Sequence, residues 1–132
     1  MIPRIKSNDI SFGYTTIISK LFKEGKLPNV VKGFYGGVLN IKPNLLQSVS
    51  NEHLQPVSKG GKTILKNIVL ATVENNAKRG NEPLSSFFNK AKALEYWEQF
   101  KDLIIEYKKG NKTKIFDGNK YIEESIETVK NI

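Results

Sequence analysis

The sequence predicts an α+β domain with a helical majority, and three observations carry that expectation. The chain has 132 residues, the size of one compact domain, with 39% hydrophobic and 26% charged residues, an ordinary globular composition. From residue 85 to residue 109 apolar side chains recur every three or four positions (Phe87, Ala91, Leu94, Trp97, Phe100, Ile104, Tyr107), the stripe of one helix face. Between residues 30 and 54, by contrast, Gly33, Gly36, Gly37 and Pro43 break the chain into pieces too short for helices and suited to strands and turns.

Taken in order, residues 14–24, YTTIISKLFKE, have helical apolar spacing and stop at Gly25. Leu27-Pro28-Asn29 is a break, and Val30–Leu39 suits a tight turn between short extended segments. Leu45–Leu54 is a candidate strand, and Ser58-Lys59-Gly60-Gly61-Lys62 is a loop by composition. Ile68-Val69-Leu70-Ala71 is an apolar run too brief to assign by periodicity. A short helix from Val73 to Arg79, capped by Gly80, precedes the separator Asn81-Glu82-Pro83. A long helix is then expected from Ser85, a capable N-cap, to Lys109, with Lys108, Lys109 and Gly110 suiting its end. Lys112–Phe116 reads as a strand turning at Asp117-Gly118, and Ile122, Ile126 and Val129 suggest a terminal helix.

Composition excludes several classes of function. The chain has no cysteine, hence no disulfide and no thiolate metal site. No stretch approaches the roughly 20 apolar residues of a membrane span. The opening MIPRIKSND lacks the apolar run of a signal peptide, which makes the cytoplasm the expected location. The net charge is +8, and its distribution is uneven. Residues 1–42 hold seven basic against two acidic side chains, and residues 58–80 hold Lys59, Lys62, Lys66, Lys78 and Arg79 against Glu74 alone. Residues 81–132 balance nine against nine. An excess confined to the first eighty residues points to a polyanionic partner for that part, with the remainder as a neutral support.

His53 is the single histidine. It stands in Glu52-His53-Leu54-Gln55-Pro56-Val57-Ser58-Lys59-Gly60-Gly61; Asn67 follows fourteen residues later in Asn67-Ile68-Val69-Leu70-Ala71, and Asn76 nine beyond that in Asn76-Ala77-Lys78-Arg79-Gly80. In order, spacing and residue type these three segments resemble the HNH endonuclease family, with its acid-His-Pro-Ser-Lys-Gly-Gly first motif, its central Asn-Leu-Val-Leu-Ala and its closing Asn-x-x-Lys-Gly. Many members of that family carry two cysteine pairs that bind a structural zinc. Here Gly33 and Gly36 occupy the first pair of positions and Thr72 and Asn75 the second, so the resemblance is to a variant without structural zinc.

The resemblance implies a ββα-metal core at residues 33–84, packed against the supporting helix 85–109, with 110–132 as a C-terminal extension, all within one domain spanning 1–132. It implies His53 as general base for water, Asn67 holding the loop that orients His53, and Glu52 and Asn76 as ligands of one divalent ion, magnesium or manganese. A neutral imidazole suits base catalysis near neutral pH, and an all-oxygen donor set suits those ions. Lys59, Lys62, Lys66, Lys78 and Arg79 would grip phosphates flanking the scissile bond of DNA, double-stranded by preference.

Three functions are compatible with the sequence. The first is a metal-dependent DNA endonuclease. The second is a catalytically degenerate domain of the same type that binds nucleic acid without cutting. Its support is that the family usually has Asp where this chain has Glu52, and the added methylene displaces the carboxylate. The third is a basic protein-interaction module.

Overall fold

The structure is a computed structural model that describes residues 16–132. The opening MIPRIKSND and the first two residues of the expected helix 14–24 lie outside the described residues. Helix α1, Ile17–Lys23, begins where the Thr16 hydroxyl accepts the Ser19 N–H, and it buries Ile18, Leu21 and Phe22. The same Thr16 hydroxyl donates to Asn51 Oδ1 at 2.8 Å, which fastens α1 to the strand that follows.

After an irregular stretch turned at Gly33–Gly37, strand β1 (Val49–His53) pairs antiparallel with β2 (Ile68–Thr72), His53 lying opposite Ile68. Every residue of β2 is buried. That burial explains its continuous apolar run, since neither face of the strand meets water. Helix α2, Val73–Arg79, follows without a connecting loop, capped by the Thr72 hydroxyl at its start and Gly80 at its end.

The second edge of β2 has no third strand. The Phe34 N–H donates to Leu70 O at 2.9 Å. Farther along, the Leu70 N–H donates to the Tyr96 hydroxyl (3.0 Å), the two hydroxyls of Tyr96 and Tyr121 are 2.7 Å apart, and Tyr121 donates to Ile68 O at 2.8 Å. Two phenols thus do the work of a neighbouring backbone. Burial pushes both hydroxyls well above their ordinary pKa, so they stay protonated as donors.

The expected packing of the core against one long helix is overturned at residues 85–109, although helix still outweighs strand. The described residues form five α-helices and two separate two-stranded antiparallel sheets, 39% helical and 22% strand. In place of one helix stand α3 (Leu84–Phe87), α4 (Lys90–Glu98) and strand β3 (Ile104–Lys109). Two local features break the helix. Asn89 leaves the helical conformation and accepts the Lys92 N–H, which restarts the chain as α4. Asp102 adopts a left-handed φ of 59°, and its N–H goes to the Asn119 side chain instead of continuing the helix. Beyond it the β-branched pair Ile104-Ile105 and Tyr107 alternate along β3, which pairs with β4 (Lys112–Asp117) around a two-residue loop. The three-to-four spacing was therefore shared between a short helix and a strand.

Helix α5 (Gly118–Lys130) returns to the core instead of extending away from it. Tyr121 is buried, and the Trp97 indole N–H donates to the buried Ser125 hydroxyl at 2.8 Å. A Cβ at Gly118 would stand 2.0 Å from Phe100 O, so only glycine lets α5 begin against the end of α4. One apolar cluster joins α1, the Phe34–Leu39 region, β2, α4, β4 and α5, with Phe34 edge-on to Tyr35, Tyr96 and Trp97. No helix of the described residues is long and apolar enough to cross a membrane.

Candidate active site

The loop between β1 and β2 is built around one amide. Asn67 is buried; its Oδ1 accepts the Gln55 N–H at 2.9 Å, and its Nδ2 donates to Gln55 O at 3.1 Å and to Lys62 O at 2.9 Å. These bonds tie the segment immediately after His53 to the far side of the loop. Gly61 lies so close to the same segment that a Cβ would stand 1.8 Å from Gln55 O. Gly61 is thus a packing requirement of this loop, whereas Gly60 is required by its left-handed φ of 91°.

His53 closes β1 and is half-buried, which pushes its pKa below the ordinary 6.5 and favours the neutral ring. Its Nε2 lies 2.9 Å from the Thr63 hydroxyl, across the loop that Asn67 holds. Thr63 has no signal in the sequence, because its nearness to His53 depends on the path of the loop.

Glu52 and Arg79 form a buried ion pair, 3.2 Å apart, at 5% and 1% exposure. The Tyr35 hydroxyl donates to the same Glu52 Oε2 at 2.6 Å. Burial pushes the Glu52 carboxyl above its ordinary 4.5, against the pull of Tyr35 and Arg79. Arg79 also donates to the carbonyls of Glu82, His53 and Leu54, at 2.9, 2.8 and 2.9 Å. The expectation that Arg79 grips DNA is therefore corrected: its guanidinium is spent on the strand end that carries His53. Tyr35, from the glycine-rich turn, belongs to the same network.

Asn76 projects from α2 toward β1, with its Nδ2 donating to Ser50 Oγ at 3.1 Å and Asn51 O at 2.9 Å. Glu52, His53 and Asn76 all line one shallow cavity of about 220 Å³, together with Asn51, Ser58 and Asn81. The three residues expected to act together are thus brought to one place by β1 and α2.

These side chains fit a divalent ion only in part. Glu52 Oε2 is taken by Tyr35 and Arg79, the same carboxylate also accepts from the His53 backbone, and Asn76 has Nδ2 anchored to β1. Among the described residues no three His, Cys, Asp or Glu side chains gather as an ion site. Two oxygens, one on a carboxylate already facing a guanidinium, suit a weakly held magnesium or manganese completed by water and phosphate, not an all-protein cage.

The positions corresponding to the zinc-binding pairs also adjoin. Asn75 Nδ2 donates directly to Gly36 O at 3.3 Å, and Thr72 caps the helix that carries Asn75. Lys59, Lys62 and Lys66 are exposed on the β1–β2 loop, while Lys78 is exposed on α2 and pairs with Glu74 at 3.7 Å. No protein-family model, curated protein or solved structure matches this chain.

Proposed function

We propose that the chain is an HNH-type, metal-dependent endonuclease acting on DNA, with His53 as general base. The observation that carries this reading is the half-buried His53 beside Asn76 and Glu52 in a single cavity, on a loop tied by Asn67. In the tautomer whose Nε2 proton goes to Thr63, Nδ1 keeps its lone pair and can take a proton from water as the oxygen attacks phosphorus. Burial holds the ring neutral and therefore ready at pH 7. When bound, a divalent ion supplies charge neutralisation on the phosphate and on the departing 3′ oxygen. Glu52 and Asn76 are the residues that would hold it. Arg79 acts at one remove, binding His53 O and Leu54 O and thereby fixing where β1 ends. The exposed Lys59, Lys62, Lys66 and Lys78 would meet flanking phosphates.

A second reading, a domain that binds nucleic acid without cutting it, is favoured by the Glu52–Arg79 pair, which lowers the negative charge available to a cation. Plasmid cleavage by the purified chain with magnesium, manganese or chelator separates the two. The expected result is metal-dependent nicked or linear DNA. His53→Ala should lower cleavage by about 10²–10⁴-fold while leaving DNA binding intact. Binding by wild type without cleavage in either metal would transfer the assignment to the second reading. Neither binding nor cleavage would end both.

A further inference from the structure

A second cavity, about 520 Å³, opens between the start of α1, the Thr63–Leu65 segment and the end of the β3–β4 hairpin. It is lined by Lys20, Lys108 and Lys109, and no acidic side chain among the described residues lines it. Thr63 lies in its wall and also holds His53 Nε2, so this cavity begins one side chain away from the proposed base. A smaller cavity shares Lys20, Tyr107 and Lys108 with it and continues along α1, but Glu24 and Glu106 line that one and mark where the acid-free surface ends.

The hairpin itself carries an unbalanced charge. From Lys108 to Lys114 it has four lysines and no acid, and Lys109 lies directly across the ribbon from Lys112. Like charges opposed across a ribbon destabilise it. Among the described residues no acidic side chain pairs with Lys20, Lys108, Lys109, Lys112 or Lys114, although ion pairs form elsewhere on the surface. The segment lies in the half of the sequence whose net charge is zero, so the averaged charge conceals it. A partner that lines up several anionic groups at a regular spacing would relieve the repulsion at the tip and occupy the cavity together.

We propose that this cavity and the hairpin tip bind the sugar–phosphate backbone of DNA on one side of the cleavage position, holding the strand that passes His53 without reading its bases. The proposal rests on the nuclease reading above for the identity of its ligand. Lysines act here as point charges toward phosphate, and half-buried Tyr107 supplies an apolar wall beside them.

The test is the salt dependence of DNA binding by the full chain, measured on a short duplex by fluorescence anisotropy. Each lysine that meets a phosphate contributes about 0.9 to the slope of log K against log salt. The triple variant Lys20→Gln, Lys108→Gln, Lys109→Gln should lower that slope by roughly two to three and weaken binding tenfold or more at about 150 mM salt. The corresponding Lys→Arg triple variant should restore both. A control triple, Lys90→Gln, Lys120→Gln, Lys130→Gln, removes the same charge from positions that line neither cavity and should change the slope little. Equal effects of the two Gln triples, or failure of arginine to restore binding, would overturn this surface and leave the nuclease reading standing. Loss of DNA binding in the wild type itself, at about 50 mM salt, would remove the nuclease reading and this inference with it.

Discussion

The two sheets of this molecule are held by opposite means. Around β1 and β2, polar side chains reach backbone that has no regular partner: Asn67 holds the loop, Arg79 the end of β1, and Asn76 the middle of that strand. Around β3, β4 and α5, large rings do most of the joining, with Phe100 against Tyr96, Phe116 and Tyr121. The difference follows from the backbone each region presents. Where the chain leaves the regular ladder, the carbonyls and N–H groups released must be bonded by side chains. A supporting layer can keep regular elements and join them by apolar area.

Breaking the polar half should therefore cost more per atom removed than trimming the aromatic half. Arg79→Met strands Glu52 without its partner and releases three carbonyls, and we expect a loss of about 3–5 kcal/mol in urea unfolding. Adding Glu52→Gln to it should recover part of the loss, because the uncompensated carboxylate disappears. Two losses that simply add would show that the pair is not a unit.

Asn67→Ala should cost about 2–3 kcal/mol, from three hydrogen bonds made by a buried amide. Asn67→Asp should do no better. It keeps the acceptor for Gln55 N–H but sets a carboxylate oxygen against the carbonyls of Gln55 and Lys62. Hydrogen exchange at Gln55 reports the loop directly, and unchanged protection there in either variant would contradict the role given to Asn67.

Tyr121→Phe, in the aromatic half, keeps every ring contact and removes one hydroxyl. A loss of about 1–2 kcal/mol is expected, from the bond to Ile68 O and from Tyr96 left without an acceptor. A loss as large as that of Arg79→Met would erase the contrast between the two regions.

The smallest effect concerns His53. Its folded pKa lies below 6.5, so between that value and 6.5 the unfolded chain binds the proton better and stability rises with pH. Above 6.5 the group adds nothing further. Cleavage should follow the same direction, with an acidic limb whose midpoint falls below 6.5. A midpoint above 6.5 would mean that the ring is not the buried neutral base described.

The same contrast decides what could be read in advance. Glu52, His53, Asn67 and Asn76 stand out in the sequence through the resemblance of three segments to the motifs of one nuclease family. The helix from Val73 to Arg79 is legible from its Gly80 cap, whereas the candidate strand Leu45–Leu54 shrinks to Val49–His53. The interval 85–109 was misread because its seven apolar residues fit a helical stripe equally well whether or not Asn89 and Asp102 interrupt it. The Asn89 cap is local, but Asp102 is held out of the helix by Asn119, which is distant in sequence. Arg79 escapes a sequence reading because a basic side chain in a positively charged segment has the same signature whether it faces outward or, as here, inward to a carboxylate.

The bond from Tyr121 to Ile68 spans 53 residues. During synthesis β2 leaves the ribosome well before α5, and in that interval one side of a strand that is wholly buried in the finished fold lacks its closing donor. A chain arrested before α5 would thus offer an open, sticky edge to any extended segment nearby, its own nascent copies included. Shortening the protein to its site-bearing half is for that reason a poor route to a smaller working unit.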